Sequence, residues 1–159
     1  MSRARLWIGA AALALSENAM ASDIFETEIS LPAPPETVWQ AITEKRHVDA
    51  YYFAPLAQDA GPVGSAFVYG SDDAPMISGT VLETVPPHIF RHSFAFAHHS
   101  AAGSSEVTYR LVAEAEGTRL TITHHGFPAD SQAHADIAMG WPIILDGLKA
   151  YLSRTGSPE

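Results

Sequence analysis

The sequence predicts a single α+β domain in which a curled antiparallel sheet wraps around one long C-terminal helix. Its 159 residues are enough for one domain with a substantial hydrophobic core. After residue 65, short runs of alternating apolar and polar residues, separated by glycine and proline turns, predict an antiparallel meander. Near the C-terminus, apolar residues recur at helical spacing. Because only this last helix is long enough to cover the sheet, the sheet has to curl around it and enclose a space.

The first part of the domain is predicted to be one strand followed by two short helices. Residues 24–31 alternate between apolar and polar side chains, which indicates a half-buried strand. Three prolines between positions 32 and 35 end this strand, and proline is tolerated in the first turn of a helix. We therefore expect a helix over residues 36–43 and a second one over residues 46–53.

Five strands and the long helix are predicted to make up the rest of the domain. The strands are expected over residues 65–70, 75–85, 88–97, 105–115 and 118–126. Turns are expected at Ser71-Asp72-Asp73 and at residues 100–103. The C-terminal helix is expected over residues 133–154, and Pro142 inside it is expected to kink or restart the helix.

Residues 1–21 differ from the domain that follows. Arg3 and Arg5 precede an apolar run over residues 6–15 and then Ala19-Met20-Ala21, the pattern of a secretory signal with its cleavage site. The run is too short to anchor the chain across a bilayer. The sequence therefore predicts an exported protein whose domain is residues 22–159. Two alternatives stay open, in both of which the protein is cytoplasmic: a true start at Met20, or an ordinary N-terminal helix.

Composition excludes several classes of function. Eighteen acidic side chains against nine basic ones give a net charge of −9, which repels nucleic-acid phosphates. The absence of cysteine excludes thiol catalysis, thiolate metal sites and disulfides. A metal site could combine His92, His124 and His134, but the spacing of the histidines matches no known zinc pattern. With no phosphate-binding or dinucleotide-binding motif either, neither a metal nor another cofactor is predicted.

Strand alternation places one set of side chains inside the curl. The predicted ligand-binding residues are Phe67, Tyr69, Phe90, His92, Phe94, Tyr109, Ile122 and His124 from the strands, and Trp141 from the last helix. An aromatic and aliphatic pocket with a few polar tips is what a small-molecule site needs. The alternative is that these side chains are ordinary core residues whose polar groups are satisfied locally. His125 is expected to point outward.

Several segments also resemble a known family. Residues 31–43 resemble its opening strand and first helix, residues 105–111 and 118–124 its terminal hairpin, and residues 79–83 and 140–152 a mid-sheet strand and the C-terminal helix. In these segments, the chain is similar to the bacterial proteins related to the activator of the heat-shock protein 90 ATPase. That family lies within the START and polyketide-cyclase-like (SRPBCC) superfamily. The resemblance implies a helix-grip fold over a hydrophobic cavity, but no single activity and no catalytic residues.

Three functions are compatible with these observations. The leading one is binding of a small, largely apolar molecule, with Tyr69, His92, Tyr109 and His124 orienting its polar end. The first alternative is an enzyme of cyclase, dehydratase or hydrolase type, in which His92 or His124 acts as general acid or base. The second is a protein-interaction module that modulates a chaperone through the outer face of the sheet. The sequence predicts no oligomeric state.

Overall fold

The computed structural model describes residues 24–71, 73–98, 104–126 and 132–155, and they form the predicted helix-grip arrangement. The strands are β1 (Ile24–Leu31), β2 (Tyr69–Gly70), β3 (Pro75–Ser78), β4 (Val81–Val85), β5 (Ile89–Phe96), β6 (Ser105–Glu114) and β7 (Gly117–His125). The helices are α1 (Pro35–Thr43), α2 (Lys45–Tyr51) and α3 (Gln132–Thr155). None of these helices has the length and apolarity that crossing a bilayer requires. The predicted leader over residues 1–21, the turn at residues 100–103 and Asp72 lie outside the described residues.

The strands form one antiparallel sheet in the order β1-β7-β6-β5-β3-β2, and β4 also pairs with β5. The β6–β7 hairpin is paired along its whole length, from Glu106 opposite His125 to Glu114 opposite Gly117. At one end of the sheet lie the last residues of β5 and β7 and the first residues of β1 and β6, because neighbouring strands are antiparallel.

The predicted strand over residues 75–85 is divided in two at Gly79, which corrects the expectation of one continuous strand. A Cβ atom at Gly79 would lie 1.9 Å from the carbonyl oxygen of Ser93, so only glycine fits where the chain passes this close to β5. The register with β5 then shifts between Val81 and Glu83. This irregularity lets β3 and β4 pair with different parts of β5.

The predicted strand over residues 65–70 is also shorter than expected, because only Tyr69 and Gly70 join the sheet as a strand. The residues before them make hydrogen bonds in two directions. The Phe67 amide donates to the carbonyl of Gly79, while the Val68 carbonyl accepts from Ala57. Since successive residues bond to different segments, no continuous ladder forms.

Helix α3 buries one face against the sheet and packs its C-terminal half on α2. Its buried side chains are Ala133, Ile137, Trp141, Ile144, Leu145, Leu148 and Leu152. The helix continues through Pro142, so the expected restart does not occur. Because Pro142 has no N–H, the carbonyl of Ala138 lacks its helical partner. A 2.6 Å hydrogen bond joins His47 Nδ1 on α2 to the Tyr151 hydroxyl on α3.

Candidate ligand-binding site

All nine predicted ligand-binding residues are buried, and those on β5, β6 and β7 lie on the faces that strand alternation predicted. They are Phe67, Tyr69, Phe90, His92, Phe94, Tyr109, Ile122, His124 and Trp141. The outward neighbour His125 is 42% exposed at its side chain and lies 3.7 Å from a carboxylate oxygen of Glu106. The strands therefore divide the polar groups of this sheet between an inner and an outer face.

A cavity of about 370 Å³ lies between α2, the end of β5 and the N-terminal half of α3, and we call it the α2–α3 cavity. Its lining residues are Tyr51, Tyr52, Phe53, Phe94, Phe96, His98, Asp136, Ile137, Gly140, Trp141, Ile143 and Ile144. Phe53 and Ile143, which are 58% and 72% exposed, mark its opening to solvent, whereas Phe94 and Trp141 are buried at its base. Of the nine predicted residues, only these last two line the cavity, and the other seven lie deeper in the core.

The polar groups that line the cavity beside its aromatic and aliphatic walls include an acid and an imidazole. His98 Nε2 lies 3.9 Å from Asp136 Oδ2. The side-chain amide of Gln132 donates a hydrogen bond of 2.9 Å to the other oxygen of Asp136. His98 is well exposed, so this pair lies at the solvent side of the cavity.

Trp141 is held at the base of the cavity by a chain of hydrogen bonds through His124. The indole Nε1–H of Trp141 donates to His124 Nδ1 over 3.1 Å, so this nitrogen carries no proton. The proton of the neutral ring is therefore on Nε2, which donates to Ser105 Oγ over 2.8 Å. The Ser105 hydroxyl in turn donates to the carbonyl of Phe94 over 3.2 Å. The polar side-chain hydrogens of Trp141, His124 and Ser105 therefore all have acceptors.

This tautomer decides what His124 can do chemically. A histidine that activates a serine must accept the hydroxyl proton on the facing nitrogen, and here the facing nitrogen is already protonated. Burial, together with smaller contributions from the nearby imidazoles of His92 and His125, lowers the pKa of His124 to about 3. The close Ser105–His124 pair is therefore structural. The sequence analysis did not select Ser105. It lies two residues before Val107 on β6, so strand alternation places it on the same inward face as Val107 and Tyr109.

His92 has the opposite tautomer and one nitrogen without a partner. Its Nδ1–H donates to the carbonyl of Ser93 over 2.7 Å, which leaves Nε2 as a bare acceptor. Nε2 is buried and makes no hydrogen bond within the described residues. Burial lowers the pKa of His92 to about 4, against the raising effect of the hydrogen bond to Ser93. The ring is therefore a neutral acceptor at physiological pH.

Four tyrosines connect the cavity to this inner layer. Tyr52, at the cavity wall, stacks on Tyr69 with ring centroids 4.2 Å apart. The side chains of Tyr69 and Tyr109 hydrogen bond to each other. Burial raises the pKa of Tyr109 to about 12 and raises those of Tyr51, Tyr52 and Tyr69 well above 10. All four hydroxyls are therefore neutral groups that donate and accept hydrogen bonds.

Among the described residues, no group of three or more histidines and carboxylates is placed to hold a metal ion. His92 on β5 and His124 on β7 both lie opposite Val107 of β6, but the ring nitrogens of His124 both make hydrogen bonds to protein groups. What the site offers is a largely apolar cavity above a neutral aromatic layer.

Comparison with known proteins shows which solved structures the chain resembles. No curated protein matches it. Among solved structures, protein MLL2253 from Mesorhizobium loti is 27% identical with a TM-score of 0.73, over 83% of this chain and 98% of that one. DynU16, a putative protein in the dynemicin biosynthetic locus, is 26% identical with a TM-score of 0.69, over 86% of this chain and 49% of that one. The Aha1 dimer from Colwellia psychrerythraea, at 20% identity over 81% of this chain and 95% of that one, shares the fold with a TM-score of 0.70.

The family model for activator of Hsp90 ATPase homolog 1-like proteins matches residues 32–153. This match begins just before α1 and ends near the end of α3, so it includes β2 to β7 and every residue that lines the α2–α3 cavity. The chain belongs to the activator of Hsp90 ATPase homolog 1-like protein family.

Proposed function

We propose that this protein binds a small, largely apolar molecule in the α2–α3 cavity. The observation that carries the proposal is the cavity itself, whose volume of about 370 Å³ suits a small molecule. Ligand sites commonly have volumes of roughly 300–1,000 Å³ and apolar walls with few polar groups. Phe94 and Trp141 would contact the ligand directly, and the deeper predicted residues would support them from below.

The charges around the cavity favour a neutral ligand. Among the described residues that line it, none is lysine or arginine, and Asp136 supplies a carboxylate. The whole chain is acidic as well, with a net charge of −9. These negative charges would repel an anionic head group.

The inner histidines support binding over catalysis. The Nδ1 of His124 is occupied by the indole of Trp141, so this ring has no free lone pair for a substrate proton. His92 has a free lone pair, but its pKa of about 4 makes it a weak base at neutral pH. General bases work best when their pKa lies near the operating pH.

The outer face of the sheet gives little support to the chaperone-modulating alternative. Its central strands carry mainly charged and hydroxyl side chains, with Val112 of β6 as an exposed apolar exception, and Arg91 forms an ion pair of 3.0 Å with Glu106 there. By contrast, the apolar Phe53 and Ile143 are exposed at the opening of the cavity. A protein partner that recognises apolar surface would need several such side chains grouped on the outer face. The similarity to DynU16, from a biosynthetic locus, also supports a small-molecule ligand.

A single glycine allows a sharp test of this proposal. Gly140 lines the cavity, and a Cβ atom added there meets no other atom within 4 Å. Gly140→Leu should therefore fill the cavity without straining the fold. Leucine should also favour α3 by up to about 1 kcal/mol relative to glycine in a helix. We expect the neutral fluorescent probe N-phenyl-1-naphthylamine to bind the unmodified protein and to bind Gly140→Leu at least about tenfold more weakly.

The matched control is Met139→Leu, because Met139 is the exposed neighbour of Gly140 on α3 and does not line the cavity. This variant should bind the probe like the unmodified protein. Native mass spectrometry of freshly purified protein should in addition show a bound small molecule that Gly140→Leu lacks. Undiminished probe binding by Gly140→Leu would refute the proposed site.

A further inference from the structure

The buried Nε2 of His92 is an acceptor that the protein itself leaves unused. Only 1% of the residue is exposed, and its other nitrogen is committed to the carbonyl of Ser93 over 2.7 Å. A buried polar atom without a hydrogen bond destabilises a protein, because its hydrogen bonds to water are lost and not replaced. Such an atom therefore needs an explanation, and a bound donor is one.

Aromatic rings surround His92 on several sides and hold its orientation. The ring centroid of Phe67 lies 4.6 Å away, and the ring of Tyr109 stacks at 5.9 Å. The hydrogen bond to Ser93 fixes the tautomer, so the ring cannot present an N–H at Nε2 while it is neutral. His124, only two strands away in the sheet, differs in that both of its nitrogens are satisfied.

His92 lies one aromatic ring below the α2–α3 cavity. Phe94, which lines the cavity, has its ring centroid 6.4 Å from that of His92. On the other side, Tyr52 lines the cavity and stacks on Tyr69, whose ring centroid is 6.5 Å from His92. A cavity ligand would reach His92 only after a rotamer change of Phe94, or of Tyr52 and Tyr69 together, and side-chain rotamer changes are common on binding.

We propose that the ligand of the α2–α3 cavity carries a hydroxyl or N–H group that donates a hydrogen bond to His92 Nε2. This inference rests on the proposed function and narrows its ligand class to apolar alcohols, phenols and N–H heterocycles. A carbonyl or carboxylate head has no proton to give to this nitrogen. Because the pKa of His92 is about 4, the ring stays an acceptor at neutral pH.

The test compares 1-naphthol with 1-methoxynaphthalene, which share a ring system but differ in the donor. By calorimetric titration, the unmodified protein should bind 1-naphthol about tenfold more tightly, which corresponds to about 1.4 kcal/mol for the hydrogen bond. In His92→Phe this preference should vanish while 1-methoxynaphthalene still binds. In His125→Phe, which changes the outward histidine, the preference should stay as in the unmodified protein.

The two proposals fail in different ways. Equal binding of both probes to the unmodified protein, or an unchanged preference in His92→Phe, would overturn the role of His92 and leave the cavity as a ligand site. Binding of neither probe would overturn both proposals.

A second measurement covers the case that His92→Phe does not fold. In ¹⁵N spectra of the unmodified protein, the Nε2 resonance of His92 should move towards the hydrogen-bonded range on addition of 1-naphthol, but not of 1-methoxynaphthalene. A resonance already in that range without probe, and unmoved by 1-naphthol, would indicate a resident water and refute the inference.

Discussion

Mild acid should destabilise this protein through His92 and His124. Both rings are buried and neutral in the folded state, with pKa values lowered by burial to about 4 and about 3. In the unfolded chain both return to the ordinary value of 6.5 and take up a proton below it. Because the unfolded state then binds more protons than the folded state, the free energy of unfolding falls as the pH falls below 6.5.

The magnitude follows from these pKa values. Each group contributes about 1.36 kcal/mol per pH unit between its unfolded and folded pKa values. From pH 6.5 to pH 5 this amounts to about 2 kcal/mol for each histidine and about 4 kcal/mol for the pair. Neither residue is more than 1% exposed, so solvent screens the effect little. A total stability of about 5–15 kcal/mol is typical of domains, so the loss is large.

Urea unfolding at pH 7 and pH 5 measures this difference directly. His92→Phe should lose about half of the pH dependence, that is about 2 kcal/mol, because phenylalanine binds no proton. His125→Phe should keep most of it, since burial, the largest cause of both lowered pKa values, is unchanged. A difference below about 1 kcal/mol between the two pH values would show that these rings are not buried as described. An undiminished pH dependence in His92→Phe would contradict the assignment to that residue.

Three further predictions concern the packing and the leader. Trp141→Phe removes the donor to His124 Nδ1 and should lower the free energy of unfolding by about 1–3 kcal/mol, and Trp141→Ala by about 3–5 kcal/mol. If both variants have the same free energy of unfolding as the unmodified protein, the described contact between Trp141 and His124 would be contradicted. Gly79→Ala forces the backbone of β5 to move and should lower the free energy of unfolding, measured by thermal unfolding, by about 1–3 kcal/mol. Gly140→Ala has free space around its Cβ atom and should not lower the free energy of unfolding. If residues 1–21 are a cleaved leader, N-terminal sequencing of exported protein from the native host should find Ser22 first. Finding Met1 or Met20 on cytoplasmic protein would contradict it.

The facing of the central strands was predictable because β5, β6 and β7 keep a strict period of two. Burial of Phe90, His92 and Phe94 follows from that alternation alone, as does burial of Tyr109 and His124. The irregular strands were not predictable in the same way. The division at Gly79 depends on the approach of Ser93, a contact that local sequence patterns do not contain.

The location of the cavity was less predictable than the facing of the strands. It depends on how α2 and α3 are placed against the end of β5, and no periodicity within one segment encodes that distance. Tyr51 and Tyr52 fall in the predicted short helix over residues 46–53, whose sequence pattern does not indicate a cavity, yet both line it. Gly140 gives no chemical signal at all, because its contribution is the absence of a side chain.

The hydrogen bond that Pro142 removes from α3 has a mechanical consequence. Elsewhere in a helix, bending breaks or stretches bonds between successive turns, but at this point the carbonyl of Ala138 has no helical bond to lose. The stiffness of α3 is therefore lowest between its two halves. The second half is held in the core by Leu145, Leu148 and Leu152, while the first half, which forms much of the cavity wall, is held by Ile137 and Trp141. In the proposed binding function, a bend at Pro142 would change the angle between the two halves, and with it the width of the cavity, without breaking a backbone hydrogen bond.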